Sequence, residues 1–405
     1  MRLSLPRAFR ATMALATASA FATGARAEDV TKRPETAPLR TSNVDVTAGS
    51  EVAVYGDSDH VYVFTPSLYV RAGNPTSGWS GGGHYLVDVV SAASVDIVST
   101  ASRRWQEVRH AGGADFAFKP GNTGVSGAVS VSTEPDYLAY AASASLVQDA
   151  DEKNLSLRLT LGAGHDVVGR RDTPFSVFSH PIDRFVGSLS LARTIDRATV
   201  LTFIGDASVE SGDSSKPYRY VPLFTPSEAA ATLPGAPIGY VNDHRLPARV
   251  LEQLPLDRTR TSFSARLAHR WDTATLRLDE RLYADSWSVL ATTTDVRWLF
   301  DAGRRFTYGP HARFHLQKQA SFWQRAYASN GAFDIPKLRT GDRELGPLWS
   351  FTLGPGARWG LGPASEPFAW SLGTQVEGTW TAFLDDLYIR NRIAILGLVT
   401  IEGTF

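Results

Sequence analysis

The sequence predicts an all-β chain that folds as a transmembrane antiparallel β-barrel, and three observations point to it. The stretch 392–405 alternates between apolar and mixed side chains and ends on the aromatic Phe405, as a closing barrel strand does. Similar alternation recurs from residue 44 onward. No stretch beyond the first 27 residues is long and apolar enough for a spanning helix, and only helices or closed barrels satisfy their backbone in lipid.

Residues 1–27 are expected to be a signal peptide. Several arginines precede the short apolar run 11–22, and the motif Ala25-Arg26-Ala27 has the form of a cleavage site. The apolar run is too short for a membrane anchor, because a spanning helix needs ~20 residues. Residues 28–43 are polar and patternless, and we expect them to be a flexible periplasmic lead-in.

Residues 44–405 divide into sixteen predicted strands, with fourteen or eighteen as alternatives. The strands cover 44–55, 59–72, 78–92, 103–118, 123–134, 137–149, 154–169, 183–194, 197–210, 260–271, 274–285, 289–301, 306–325, 346–361, 367–383 and 392–405. All long connections fall on one side of this arrangement, and the longest is an outer loop at 211–259. Short turns on one side and long loops on the other are typical of outer-membrane barrels. We therefore expect the outer membrane of a Gram-negative bacterium, with both termini periplasmic.

The rival fold is a soluble β-sandwich or a periplasmic β-rich enzyme. Soluble strands also alternate, but they seldom carry apolar residues on an outer face in every strand. Aromatic residues near predicted strand ends, such as Tyr55, Trp105 and Trp298, favour the barrel because they suit the girdles at the two membrane interfaces.

Charged residues on four consecutive predicted strands share one face. A charge facing lipid costs ~2–4 kcal/mol at the bilayer midplane, so these side chains are expected to face the lumen. The candidates for this lumen wall are Arg266, Arg277, Asp279, Arg281, Asp295, Arg297, Arg313 and His315. The wall is either an Arg–Asp network that fills and stiffens the barrel or a lining that attracts small anionic solutes, since Arg offers a fixed fork of donors.

The long outer loop carries a second set of candidates. Its segment 217–224 is aromatic and apolar, and the candidates in it are Tyr218, Arg219, Tyr220 and Phe224. Such a segment would be a liability if water surrounded it. We expect it either to fold into the barrel mouth as a constriction or plug, or to capture a partner or ligand.

Metal binding and hydrolysis have weaker signals. The residues that could converge near one rim to hold a metal are His84, His110, His165, Asp166 and His180, but they show no tight ligand spacing, so we expect no metal site and no cofactor. The residues that could serve hydrolysis near 170–182 are Ser176, Ser179, His180 and Asp183, but no GxSxG motif stands beside them. We therefore expect no enzyme, with a barrel-embedded hydrolase kept as an alternative.

Several motifs occur in order along the chain. They include GGGHYLVDVV at 81–90, GHDVVGR at 164–170, SKPYRYVPLF at 215–224, SFWQRAY at 321–327 and TGDRELGPL at 340–348. Together they resemble a bacterial family of outer-membrane β-barrels of unknown function, similar to barrels encoded beside a thioredoxin-like protein, a small lipoprotein and an FMN transferase. The resemblance implies a cell-envelope redox or metal-handling system, with periplasmic redox proteins or a lipoprotein as partners, and it implies no catalytic residues.

The functional expectation combines these observations. The chain has 41 basic and 41 acidic residues and no cysteine, which gives no footprint for nucleic acid and excludes disulfides and thiolate chemistry. We expect a non-enzymatic barrel in contact with outer-membrane lipid, acting as a channel or as a docking component of the envelope system. A structural barrel with a closed lumen is a further alternative.

Overall fold

The computed structural model describes residues 44–91, 107–331, 334–362 and 369–405. The expected signal peptide and lead-in lie outside these residues. The barrel strands are β1 (Asp45–Asp57), β2 (Tyr62–Asn74), β3 (Trp79–Val90), β4 (Glu107–Phe118), β5 (Thr123–Glu134), β6 (Tyr137–Ala150), β7 (Leu155–Gly169), β8 (Ser179–Thr194), β9 (Thr199–Gly212), β12 (Asp257–Arg270), β13 (Ala274–Asp285), β14 (Leu290–Ala302), β15 (Phe306–Gln317), β17 (Leu348–Leu361), β18 (Ala369–Phe383) and β19 (Asn391–Thr404). The remaining elements are β10 (Tyr220–Phe224), α1 (Pro226–Ala231), α2 (Ile238–His244), β11 (Arg249–Leu251), β16 (Tyr327–Ala328) and a single 3-10 turn at Arg343–Leu345.

Sixteen strands close into one antiparallel barrel. Each barrel strand pairs with the next barrel strand along the chain, and β19 closes the ring by pairing with β1, with Val399 opposite Val52. The sixteen-stranded barrel predicted from the sequence is confirmed, and the alternatives of fourteen and eighteen strands are wrong. Closure leaves the barrel without an unpaired strand edge, which is the condition for a sheet to cross lipid.

The outer face of the barrel is apolar because the strands alternate. Leu161 on β7 and Ile393 on β19 are 60% and 62% exposed, whereas the adjacent Arg392 is buried on the opposite face. An exposed apolar face of this kind is also found on the outer surface of outer-membrane β-barrels. Within the described part of the chain, no helix is long and apolar enough to cross a bilayer.

The two ends of the barrel differ in their connections. Short turns lie at the end that carries the described chain termini, at 75–78, 119–122, 151–154, 195–198, 271–273 and 303–305. The long connections lie at the other end, at 170–178, 213–256, 318–347 and 384–390. We call this second end the capped mouth, for the reason given next.

Two long connections fold together over that mouth. The described residues of 213–256 and 318–347, here named the cap, contain β10, β11, β16 and both helices. In the cap sheet, β10 pairs antiparallel with β11 and parallel with β16. Helix α1 begins after Thr225, whose Oγ accepts a hydrogen bond from the backbone N–H of Glu228, and Pro226 stands where a missing N–H costs nothing.

Most strand boundaries differ from the sequence expectation by a few residues, and two of the larger differences are described here. The strand expected to run to residue 325 ends at Gln317. The Gln317 side-chain amide donates to the backbone carbonyls of Glu344 and Gly346, at 2.8 and 3.0 Å, and the chain leaves the barrel wall there to enter the cap. Strand β8 begins at Ser179 rather than 183, because residues 179–182 already pair with β7.

Candidate functional site

The aromatic and apolar loop segment found in the sequence forms the centre of the cap. Phe224 is fully buried and packs with Val241 of α2 and with Leu387 from the β18–β19 connection. Tyr220 lies at the start of β10, opposite Leu251. The apolar side chains of this segment therefore have a core of their own, and burying one of their size contributes about 1.5–3 kcal/mol.

Arg219 joins the two halves of the cap. Its side chain is 1% exposed, and its Nη1 lies 3.2 Å from Glu252 Oε1 and 3.0 Å from Asp342 Oδ2. The Thr340 hydroxyl donates to the same Glu252 oxygen at 2.5 Å. Since Glu252 and Asp342 come from different long connections, one guanidinium group fixes both against each other.

Tyr218 fastens the cap to two sides of the barrel rim. Its hydroxyl donates to Asp136 Oδ2 in the β5–β6 turn, at 3.1 Å, and accepts a hydrogen bond from the backbone N–H of Arg171 in the β7–β8 connection. Its ring packs against a cluster that includes Tyr55 and Val63 on β1 and β2. Burial raises the pKa of the Tyr218 hydroxyl, so the group remains a neutral donor.

Ion pairs tie the 3-10 turn of the cap to the barrel. Arg343 Nη2 lies 2.8 Å from Asp59 Oδ2 in the β1–β2 turn, and Glu344 Oε1 lies 3.6 Å from Arg392 Nη1 on β19. All four side chains are nearly buried. Burial raises the pKa of Asp59, and the nearby Arg343 opposes this shift.

Apolar contacts and a further ion pair complete the attachment. Trp287 in the β13–β14 turn packs in one buried cluster with Trp323 and Leu345 of the cap. Arg325 of the cap pairs with Asp385 in the β18–β19 connection. The cap is thus anchored at the β1–β2, β5–β6, β7–β8, β13–β14 and β18–β19 connections, and it lies across the mouth.

The lumen-wall candidates lie on four neighbouring strands, on the face opposite the exposed apolar residues. Arg266, Asp279, Asp295 and Arg313 follow one another in register across β12, β13, β14 and β15. The Arg266 guanidinium donates to the Asp279 carboxylate. These four residues form one cross-strand row at the barrel wall, with two carboxylates in the middle and an arginine at each end.

Two of the candidates lie closer to the cap. Arg281 donates to the Ser262 hydroxyl at 3.0 Å, and His315 Nδ1 lies 2.8 Å from the Thr293 hydroxyl. Arg281 and Thr293 are opposite each other, and so are Thr293 and His315. The structure therefore places this pair of basic side chains in a second row, beside hydroxyl groups rather than carboxylates.

The last two candidates, Arg277 and Arg297, face each other. They are register partners on β13 and β14, and the Arg297 Nε lies 3.7 Å from Asp295 Oδ1. The side chain of Arg297 is 47% exposed, and that of Arg358, on the same inner face, is 57% exposed. Side chains this accessible inside a barrel show that the lumen at this level holds space for water.

His311 and Glu377 complete the wall and were missed from the sequence. His311 Nε2 lies 2.8 Å from Asp295 Oδ2, and its Nδ1 contacts Glu377. A neutral imidazole has one N–H, so contact with two carboxylates favours the imidazolium form. Counting back by two from Arg313 would have found His311, whereas Glu377 lies far along the chain and is brought in by the barrel.

Glu280 is a third missed residue, on the opposite face. It lies between Leu278 and Leu282 on the same face of β13, and both leucines are exposed on the outer wall. Its two carboxylate oxygens accept hydrogen bonds from the Thr292 and Thr294 hydroxyls, each at 2.5 Å. A carboxylate within the apolar outer face is costly unless its lone pairs are satisfied. The two threonines supply that satisfaction.

The residues weighed for a metal site do not converge. His165 Nδ1 lies 2.7 Å from Asp183, whereas the Asp166 carboxylate lies 3.2 Å from Arg184 on the other face of β7. His110 is held by the Tyr85 hydroxyl at 2.6 Å on the outer face. Three carboxylates that the sequence did not single out, those of Glu107, Glu134 and Asp136, offer oxygens within 4.8 Å of one another.

The residues weighed for hydrolysis are likewise separated. Asp183 is committed to His165, and the His180 ring packs edge-on against Phe178, with 4.8 Å between ring centroids. Within the described residues, no hydrogen bond joins Ser176, His180 and Asp183. This geometry does not provide a nucleophile with an adjacent base.

Comparison with protein-family models gives a match over residues 97–361 to a family described as "Protein of unknown function (DUF3570)". The chain belongs to the DUF3570 family. The motifs noted in the sequence resemble an outer-membrane barrel family of unknown function, and the matched family is likewise described as having no known function. The gene neighbourhood implied by that resemblance stays an expectation. A search of curated proteins found no match.

Several solved outer-membrane proteins are similar to the chain at low identity. The outer membrane protein opdK from Pseudomonas aeruginosa has a TM-score of 0.42 and 7% identity, with 89% of this chain and 99% of that chain covered. A loop L8 deletion mutant of OmpT from Vibrio cholerae has a TM-score of 0.44 and 8% identity, with coverage of 89% and 99%. The siderophore receptor PirA from Acinetobacter baumannii has a TM-score of 0.40 and 12% identity; 84% of this chain is covered, and it spans only 53% of that receptor.

Proposed function

We propose that this protein is an outer-membrane channel for small solutes whose mouth opposite the chain termini is closed by its own cap. The observation that carries the proposal is a cap anchored around that mouth, above a lumen in which Arg297 and Arg358 remain about half exposed. An Arg–Asp network that filled the barrel would bury those guanidinium groups. A permanently sealed barrel would have no need of a water-accessible charged wall.

The membrane assignment within this proposal is supported by the outer surface. Exposed apolar side chains cover the outer face, and aromatic residues such as Trp298, Trp359 and Trp370 lie near the strand ends at the terminal side. Aromatic girdles at the interfaces and short periplasmic turns are features of outer-membrane barrels. We infer periplasmic termini, which places the cap on the outside of the cell.

Opening requires the cap to release its contacts with the rim. The contacts that must break include the ion pair between Arg343 and Asp59 and the hydrogen bond from Tyr218 to Asp136. The ion pair is buried and the hydrogen bond is partly buried, so release of the cap exposes all of these groups to water. A ligand or partner that binds the released cap better than the closed one would shift the population toward the open state.

Planar-bilayer recording on the full chain tests the channel. We expect the unmodified protein to be closed for most of the recording and the double variant Arg219→Ala/Arg343→Ala to conduct, because the link between the two cap segments and the ion pair from the cap to Asp59 are both lost. Arg193→Ala is the matched control, since it removes an exposed ion pair with Asp151 at the far end and should behave as the parent does. A double variant whose cap is accessible to protease yet never conducts would favour the closed structural barrel.

A docking role in an envelope redox or metal-handling system is the second candidate, and it is supported by the sequence resemblance alone. The partners would be periplasmic redox proteins or a lipoprotein, meeting the barrel at its terminal end. Cross-linking from cysteines introduced one at a time in the turns 151–154 and 195–198 tests this, because the chain has no cysteine of its own. Specific cross-links to one exported protein would support docking, and their absence from both turns would count against it.

A further inference from the structure

Two arginines face each other on the inner wall of the barrel, at positions where a compensating pair would be expected. We propose that Arg277 and Arg297 form a binding site for a small oxyanion, a phosphate or a carboxylate, that enters the lumen from the terminal end. The inference rests on the proposed channel for its route of entry, and it names the chemistry that the lumen selects.

The local charges do not balance. Arg277 and Arg297 are direct register partners on β13 and β14, and like charges directly opposite in a sheet destabilise it. The nearest carboxylates are already engaged: Asp279 accepts a hydrogen bond from Arg266, and Asp295 contacts His311 at 2.8 Å and Arg297 only at 3.7 Å. Within the described residues, no ion pair to Arg277 is formed.

The row continues with a third basic side chain. His311 is the register partner of Arg297 on β15, so Arg277, Arg297 and His311 lie side by side across three strands. His311 is held by Asp295 and Glu377. Among the described residues, Arg277 has no ion pair, and Arg297 has only the 3.7 Å contact of its Nε with Asp295, so most of the N–H donors of the two guanidinium groups can meet a solute in the lumen. Both guanidinium groups are accessible to water, so a solute in the lumen can reach them.

The chemistry of the donors selects the ligand class. Each guanidinium presents N–H groups in a planar fork that matches two oxygens of a phosphate or carboxylate. A halide has a single acceptor atom and lacks the paired oxygens that match each fork. An oxyanion held between the two arginines would also remove their mutual repulsion, so its binding should stabilise the barrel.

The test uses the full chain folded in detergent, with unfolding midpoints measured in chloride, inorganic phosphate and succinate at equal ionic strength. We expect phosphate or succinate to raise the midpoint of the parent protein above its value in chloride. In Arg277→Gln we expect oxyanion binding at least about tenfold weaker, because charge-assisted hydrogen bonds are lost. Without oxyanion, the same variant should be at least as stable as the parent, since the like-charge pair is gone.

Matched variants separate this site from general lumen charge. Arg358→Gln removes another accessible inner-face arginine, one that already pairs with Glu402 at 2.9 Å, and should keep the oxyanion effect. Arg277→Lys keeps the charge but loses the fork, and should retain only part of it.

Equal stabilisation of the parent and of Arg277→Gln by oxyanions, or no stabilisation of the parent at all, would overturn the site. The channel is judged separately by conductance of the cap-released double variant. If oxyanions stabilise a barrel that never conducts, the oxyanion site is supported, as part of a receptor open to the periplasm, and the channel proposal is refuted.

Discussion

The cap should be released by changing one buried side chain. Arg219→Met keeps most of the side-chain volume and removes the charge. In the structure, the Arg219 side chain is 1% exposed and forms ion pairs with Glu252 and Asp342. The side chain of Glu252 is fully buried, and that of Asp342 is 11% exposed. Glu252 would then remain buried in the cap without this cation, and Asp342 would keep the more distant Lys216 Nζ, at 3.9 Å.

The magnitude follows from that burial. Removing one partner of a buried ion pair typically costs ~3–5 kcal/mol, because the remaining charge is left uncompensated. At about 1.4 kcal/mol for each factor of ten, the equilibrium between released and closed cap should shift by roughly a hundredfold to a few thousandfold. The barrel itself should be little affected, because its sixteen strands pair independently of this contact.

Limited proteolysis measures the shift. We expect cleavage within 213–256 to be faster in Arg219→Met, while the barrel core stays protected and its unfolding midpoint hardly changes. The triple variant Arg219→Met/Glu252→Gln/Asp342→Asn should recover much of the protection, since it removes the stranded charges as well. A single variant whose cap is as protected as the parent's would refute the reasoning, and so would a triple variant weaker than the single one.

Three further predictions concern other parts of the molecule. Leu161→Arg should lower the free energy of unfolding from lipid vesicles by about 2–4 kcal/mol if β7 faces hydrocarbon, whereas it should be nearly neutral on a soluble surface. Glu280→Leu should leave the free energy of unfolding from vesicles unchanged or raise it. Thr292→Val removes a hydrogen-bond donor to Glu280 and should lower that free energy by about 1–3 kcal/mol. A Glu280→Leu variant less stable than Thr292→Val would contradict a lipid-facing carboxylate. Burial raises the pKa of Asp59 in the folded state, so its contribution to stability is present below the unfolded-state pKa and is lost as pH rises through the higher folded-state pKa. Protection of the cap from protease should therefore fall as pH rises. This fall should be less steep in Asp59→Asn than in the parent protein.

The barrel was predictable from the sequence because its signal is local. Alternation with a period of two is visible within each strand, and Leu155 to Leu161 with the intervening polar residues shows it in seven residues. Strand order needed no further information, since each barrel strand pairs with the next one along the chain. The predicted strand boundary was wrong at Gln317, where the chain leaves the barrel wall and the side chain donates hydrogen bonds to the cap.

The cap was not predictable in the same way because its contacts are distant in sequence. Tyr218 reaches a partner 82 residues earlier, at Asp136, and Arg219 reaches Asp342 in the other long connection. The sequence indicated that Phe224 and its neighbours could not remain in water. It could not indicate which surface would cover them, since that surface is assembled from residues 318–347 and from the rim.

The register between β13 and β14 supports the oxyanion site more strongly than composition does. Arg277 is opposite Arg297, and Asp279 is opposite Asp295, so both rows pair like with like. A slip of two residues would keep every side chain on its face and set Arg277 opposite Asp295. The β13–β14 turn holds the observed register, because Asp285 accepts hydrogen bonds from the backbone N–H groups of the turn at 3.0 and 2.9 Å. The observed register therefore leaves Arg277 directly opposite Arg297, whose one ion pair among the described residues is the 3.7 Å contact with Asp295, and an anion from outside the chain can compensate the charge of both.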